Sequence, residues 1–164
     1  MHRARPVRLQ GQERVKSYSG ACQCGAVAYR VTGEALTLFA CHCTDCQRQS
    51  ASAFGMALWL RGAELTLLRG CLASWTRDLP SGRQMACRFC PVCGSRLFHQ
   101  VVGSEILSLK PGSLDDSTGL QPVGHIWTDS AQPWVRPALQ GLCYPGNPDG
   151  FGELMEAWHH EDRR

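Results

Sequence analysis

The chain has little charge, few aromatic residues and no long apolar stretch. Charged residues are 19% and aromatics 8% of its 164 residues, against 43% hydrophobic residues. That balance excludes wholesale disorder and supports a single globular core. The longest apolar run, residues 53–60, is far short of the roughly 20 residues needed to cross a bilayer, so no membrane partner is expected. A strand–helix–strand rhythm is missing too, as is any internal repeat beyond two short cysteine pairs. These absences exclude doubly wound and solenoid folds. Helical periodicity is confined to residues 44–49, where Thr44 or Asp45 would cap a short turn, and to residues 151–160 near the C-terminus.

What is present is short and β-prone. Residues 26–32, 36–40, 53–60, 65–68, 96–102 and 106–109 read as strands, separated by turn signals such as Thr32-Gly33, Arg61-Gly62 and Pro111-Gly112. Their spacing is typical of an all-β sandwich or a folded-over set of small antiparallel sheets, so the expected class is mainly β with a short C-terminal helix. Residues 137–152 read as a loop carrying that helix.

The net charge of +3 is unevenly placed. Residues 1–20 hold five cations against Glu13, so residues 21–164 sum to −1 from 12 cations and 13 anions. The basicity belongs to an arm, read as disordered. Five basic residues make a poor phosphate-binding surface, and no nucleic-acid partner is expected. The arm has no apolar segment of the secretory kind, which points to a reducing, cytoplasmic setting.

Ten cysteines in such a setting point to metal rather than disulfides. Cys22-Gln23-Cys24-Gly25 and Cys90-Pro91-Val92-Cys93-Gly94 are two tight thiol pairs, each followed by glycine. Each looks like half of a tetrahedral zinc site, with the glycine letting backbone N–H groups curl toward the sulfurs. Redox cysteines are the alternative, but no βαβ unit surrounds Cys90 and Cys93 as a thioredoxin-like pair would require.

Cys41, Cys43 and Cys46 pack three thiols into six residues after a strand. Three local ligands leave a fourth position for water or substrate, the mark of a catalytic zinc site. Cys71, Cys87, Cys143 or a distant histidine could instead close it and make it structural. His42 would point away from its cysteine neighbours in an extended segment, so a packing role is expected. With both sites filled, the core charge moves from −1 to about −4.

These motifs, with Ser19-Gly20-Ala21 before the first pair, Gln47-Arg48-Gln49-Ser50 and Ser52-Ala53-Phe54 after the third cysteine, Gly112-Ser113-Leu114-Asp115-Asp116, His125-Ile126-Trp127 and Trp134, resemble the glutathione-dependent formaldehyde-activating enzymes, a family that also includes centromere protein V. The resemblance spans about residues 19–136. It implies a β-tent stapled by structural zinc on Cys22, Cys24, Cys90 and Cys93. A second, labile zinc is implied on Cys41, Cys43 and Cys46. The implied organisation is a basic arm over 1–18, a zinc-binding catalytic β-tent over 19–150, and a helix and tail over 151–164. The implied activity is that of a carbon–sulfur lyase or synthase that joins glutathione to formaldehyde as S-(hydroxymethyl)glutathione. Two departures stand out: Ala51, where the family usually has glycine, and the extra thiol Cys87.

The residues suggest how such a site would work. A zinc with three thiolates is a weak Lewis acid but a good seat for a further thiolate. A substrate thiol would take the fourth position and add to an aldehyde beside it. Arg48 is the candidate cation for charge compensation or for a glutathione carboxylate, with a solvated surface arginine as the alternative. Phe54, Trp59, His125, Trp127 and Trp134 could line a pocket over the metal or simply pack the core, and His125 could move a proton. Asp115 and Asp116 are better read as turn-capping residues than as a catalytic pair. A non-catalytic zinc-stabilised interaction module and a thiol redox protein are the competing readings, the first weakened by the shortness of the arm. Free edge strands of a small β domain would let two copies pair as a homodimer.

Overall fold

The computed structural model of the chain describes residues 15–161. The arm expected over 1–18 falls mostly on residues outside the described ones. Its last part is not an arm at all: β1 runs over Lys16–Ala21, because it pairs residue for residue with β2, from Lys16 opposite Gly33 to Ala21 opposite Ala28.

Two long strands organise the rest. β2 spans Ala28–Cys41 and β3 spans Gly55–Arg69, each fusing two of the runs expected to be separate. The turn signals at Gly33 and Gly62 fall inside them. Thr32 pairs with Glu64 while Glu34 pairs with Arg61, so the two glycines meet at a bulge that bends the sheet without ending it. A Cβ at Gly33 would lie 3.1 Å from the Arg61 carbonyl oxygen, and Gly62 has φ 59°.

β4 (Ala73–Asp78), β5 (Gln84–Phe89), β6 (Arg96–Val101) and β7 (Ile106–Leu109) follow as antiparallel neighbours, then short β8 (Gly124–Ile126) and β9 (Leu142–Cys143). All join one sheet in the order β4-β5-β6-β7-β3-β2-β8-β9, with β1 also on β2. The fold is mainly β, as expected. The small sheets are continuous with one another, and the β2–β8 and β8–β9 pairs are parallel, making the sheet mixed. The segment read as a loop over 137–152 contributes β9.

One face of the sheet is the core. Tyr29, Val31, Leu38, Leu58, Leu60, Phe98 and Leu109 are fully buried there, and Tyr29 meets Phe98 edge-on at 4.7 Å. On the opposite face, register aligns Thr37, Trp59, Ser108, His99, Cys87 and Trp75 across β2, β3, β7, β6, β5 and β4. Side chains alternate along a strand, so Cys41, four residues beyond Thr37, and Lys110, two beyond Ser108, fall on this second face. Two helices cover it. The C-terminal helix α2 (Gly152–Glu161) packs through Phe151 on Trp59 (4.3 Å) and Phe39 (5.4 Å), and the Thr37 hydroxyl donates to the Leu154 carbonyl. The short helix α1 (Thr44–Ser50) is tied to β4 by an Arg77–Asp45 ion pair at 3.0 Å.

Candidate metal centres and the cleft beside them

The first cysteine group is assembled by two turns far apart in sequence. Cys22 and Cys24 lie just after β1, and Cys90 and Cys93 between β5 and β6. The four sulfurs lie within 4.8 Å of one another, with Cys22 to Cys24 at 3.5 Å and Cys24 to Cys90 at 3.9 Å. A tetrahedral zinc with bonds of about 2.3 Å sets its sulfurs roughly 3.8 Å apart, so the cage fits a thiophilic cation without rearrangement. The backbone is arranged to support it. Gly25 and Gly94 take φ 72° and 74°, a region that costs other residues energy. The Val27 and Val92 N–H groups donate to Cys22 and Cys90 sulfurs at 3.2 and 3.4 Å. Hydrogen bonds from Ser95 draw the Cys93 thiol down to about 5.

The second group is local. Cys41 ends β2, Cys43 caps α1 and Cys46 lies in the helix's first turn. The Cys46 N–H donates to the Cys43 sulfur at 3.4 Å, so the cap of α1 is that sulfur and neither Thr44 nor Asp45. Cys41 and Cys43 sulfurs are 3.5 Å apart, and all three thiols lie within 4.8 Å of one another. Contacts with Cys41 and Cys46 make Cys43 the easiest of the three to ionise, and its contact with Cys43 together with burial makes Cys41 hard to ionise. Among the described residues no further cysteine, histidine or carboxylate joins either group. Cys71 and Cys143 are exposed, and Cys87 is buried apart from them. The trio is therefore an incomplete coordination set of soft ligands, suited to one thiophilic cation with a position to spare.

A cleft of about 820 Å³ is lined by Cys22 and Cys93 of the first group, while Cys41, Cys43 and Cys46 do not line it. Gln49, Phe54 and Gly55 line it too, and a Cβ at Gly55 would sit 3.4 Å from Cys46 Cβ. Arg96, Lys110 and Asp115 line it as well.

Of the residues expected to bind substrate, Phe54 lines this cleft. Phe54 also packs on His42, ring centres 5.3 Å apart, and His42 Nε2 meets His125 Nδ1 at 3.0 Å. Buried His42 and half-buried His125 form a pair behind Phe54. Burial pushes both below the ordinary imidazole range, with His125 adding to the shift at His42. Arg48 faces elsewhere, lining a second cavity of about 410 Å³ with Trp134. Trp127 borders neither cavity and holds a left-handed backbone, φ 59°, while its N–H donates to the Gly146 carbonyl. Trp59 is packed between Phe39 and Phe151. Asp116 caps a turn, accepting from the Thr118 N–H at 2.8 Å.

Two cations on the cleft lining were not singled out by sequence. Lys110 lies within electrostatic reach of the Cys46, Cys41 and Cys87 thiols. Arg96 sits over the Trp75 and Phe89 rings, 5.8 and 5.3 Å from their centres. Both lie on the sheet's second face, and the strand alternation that ends on Ser108 was the available signal for Lys110.

The family model described as glutathione-dependent formaldehyde-activating enzyme matches residues 17–130, a span that contains both cysteine groups, Arg96 and Lys110. The chain belongs to this family. Among solved structures, a Rhodobacter sphaeroides protein is similar at 21% identity and a TM-score of 0.47, over 77% of this chain and 98% of that one. Comparison with curated proteins finds no match. Within the family segment, Ala51 at the end of α1 takes φ 49°, the conformation glycine favours, which gives a backbone reason for the glycine usual there. The structure contains no helix long and apolar enough to cross a membrane among the described residues.

Proposed function

We propose that the chain is a zinc-dependent carbon–sulfur lyase or synthase acting on a thiol–aldehyde adduct, with glutathione and formaldehyde as the pair that best suits the site. The observation that carries this is the three-thiol group with no fourth ligand among the described residues, set behind Gly55 and Lys110 of a cleft large enough for a tripeptide. In this reading Cys22, Cys24, Cys90 and Cys93 hold a structural zinc, and Cys41, Cys43 and Cys46 hold a labile one. Zinc bound by the trio supplies a position that keeps an incoming thiol ionised at neutral pH.

The chain's own residues do the rest. Phe54 and Met56 supply the apolar wall of the cleft, which lowers the water content around a small aldehyde. Lys110 offsets the negative charge that three cysteine thiolates and a substrate thiolate accumulate. In the forward direction the substrate sulfur forms a bond to the aldehyde carbon, and the proton lost by the thiol ends on the former carbonyl oxygen. The reverse direction breaks the same carbon–sulfur bond. The reduced thiols this needs fit a cytoplasmic setting.

Native mass spectrometry tests the reading. Two zincs are expected, one of them removed by a mild chelator and retained when glutathione is present. Two zincs that both resist the chelator, or one zinc with Cys41, Cys43 and Cys46 freely alkylated, would overturn it. The rate of hydroxymethyl adduct formation, followed by exchange NMR against the uncatalysed background, then tests the activity itself.

A further inference from the structure

The lining of the cleft is more positive than a site for neutral small molecules needs. Arg96 and Lys110 both line it, and neither makes an ion pair among the described residues, where the pairs are Arg61–Glu34 and Arg77–Asp45. Asp115 is the one acidic residue on the cleft wall and pairs with neither cation. Arg77 adds to the same field, since it acts with Arg96 and Lys110 on His99, which they keep neutral. Arg96 is fixed in place by Trp75 and Phe89, and its Nη1 is shut off from solvent with no hydrogen-bond partner. Gln49, whose amide nitrogen would lie 3.1 Å from a Cβ at Gly55, lines the cleft too and leaves its buried Oε1 unpartnered.

A buried guanidinium nitrogen without an acceptor is costly unless something fills the gap. Water could do so, but a second cation along the same wall, uncompensated by protein carboxylates, asks for an anion. A carboxylate meets both demands, since it accepts from a guanidinium in the fork geometry while a lysine serves as a point charge beside it. Lys110 lies within electrostatic reach of the Cys46 and Cys41 thiols, so an anion held here sits within one short molecule's length of the metal position.

We propose that Arg96 and Lys110 form a carboxylate subsite that selects anionic thiols and holds them with the sulfur toward Cys41, Cys43 and Cys46. This rests on the thiol-binding reading above and narrows it to thiols that carry a carboxylate. Arg48, the cation the sequence pointed to, has no part in it. Arg96 binds the substrate's carboxylate directly. Lys110 is shared between that carboxylate and the thiolate.

The test uses the zinc-loaded full chain and a probe that has no thiol. S-methylglutathione and its diethyl ester are titrated calorimetrically into the wild type and into Arg96→Gln, Arg96→Lys and Lys110→Gln variants, with metal content and circular dichroism checked for each. The free acid is expected to bind at least about tenfold tighter than the ester, as charge-assisted hydrogen bonds allow. That ratio falls toward one in Arg96→Gln and Lys110→Gln, is partly restored in Arg96→Lys, and shrinks with added salt. If Arg96→Gln fails to fold, Lys110→Gln decides alone. A ratio near one in the wild type, no binding of either probe, or a ratio unchanged in the glutamine variants overturns the subsite. Cobalt-substituted protein separates the two ideas. If glutathione leaves its sulfur-to-metal absorption band unchanged, the thiolate-binding reading fails, while the acid-against-ester comparison still decides the subsite.

Discussion

Replacing Cys90 with serine should cost the fold far more than replacing Cys43, although each removes one thiol from a group of similar geometry. The difference lies in what each group ties together. Cys24 and Cys90 are 66 residues apart, so a metal held by both closes a long loop in the unfolded chain. The closure entropy for such a loop is about 4 kcal/mol, against about 2 kcal/mol for the five-position span from Cys41 to Cys46. Cys90 is also fully buried, so a serine hydroxyl there loses solvation with no metal to compensate it. Urea unfolding at fixed free zinc should therefore show Cys90→Ser destabilised by at least about 4 kcal/mol, or roughly 8 to 16 °C in Tm for a domain of this size. Cys43→Ser should lose about half that, and its zinc stoichiometry should fall from two to one. If Cys90→Ser costs no more than Cys43→Ser, the four-cysteine cage does not hold metal in the folded chain and the loop argument fails.

Three further expectations come from the same contacts. Phe98, fully buried and edge-on to Tyr29, should cost about 3 to 5 kcal/mol when cut to alanine, measured by urea unfolding. Ala51→Gly should stabilise by about 0.5 to 1 kcal/mol, because the left-handed backbone at this position penalises a Cβ, although glycine gives back part of the gain as unfolded-state entropy. His99 is held near 2 by burial and by the Lys110, Arg96 and Arg77 charges, so it stays neutral in the fold while the unfolded chain takes up a proton below about pH 6.5. Stability attributable to it is complete at pH 7.5 and falls as the pH drops. The wild type should lose about 1.4 kcal/mol more than His99→Gln between pH 7.5 and 5.5; equal losses would mean His99 is protonated in the fold.

The metal groups were readable because they are carried by local spacing. Tight cysteine turns followed by glycine place sulfurs together wherever they occur, and the structure brings the two distant pairs within ligand distance of each other. The cleft was not readable in the same way. Arg96 and Lys110 are separated by a hairpin in sequence and become neighbours only through the β6–β7 pairing, where His99 stands opposite Ser108. Arg48 looked attractive because it follows Cys46 by two residues, but α1 turns it toward the other side. The glycines at 33 and 62 misled for a different reason. A glycine that opens a bulge and one that opens a turn leave the same mark in a sequence. β8 and β9, at three and two residues, are too short to carry a periodic signal; β8 forms because β2 offers it an edge, and β9 because β8 does.

That last edge bears on where the chain could be cut. The family match ends at residue 130, yet the two residues of β9 pair in parallel with β8, and Leu154 and Trp158 of α2 are buried with the rest of the core. A truncation at the end of the family segment would keep every thiol of both groups while stripping the cover from Phe39, Trp59 and the free side of β8. Such a fragment would present an unpaired strand next to bare aromatic rings, the combination that drives chains to stick to one another. Whoever trims this protein for crystallisation or fusion should therefore keep the tail, since it acts as the sheet's own plug against self-association.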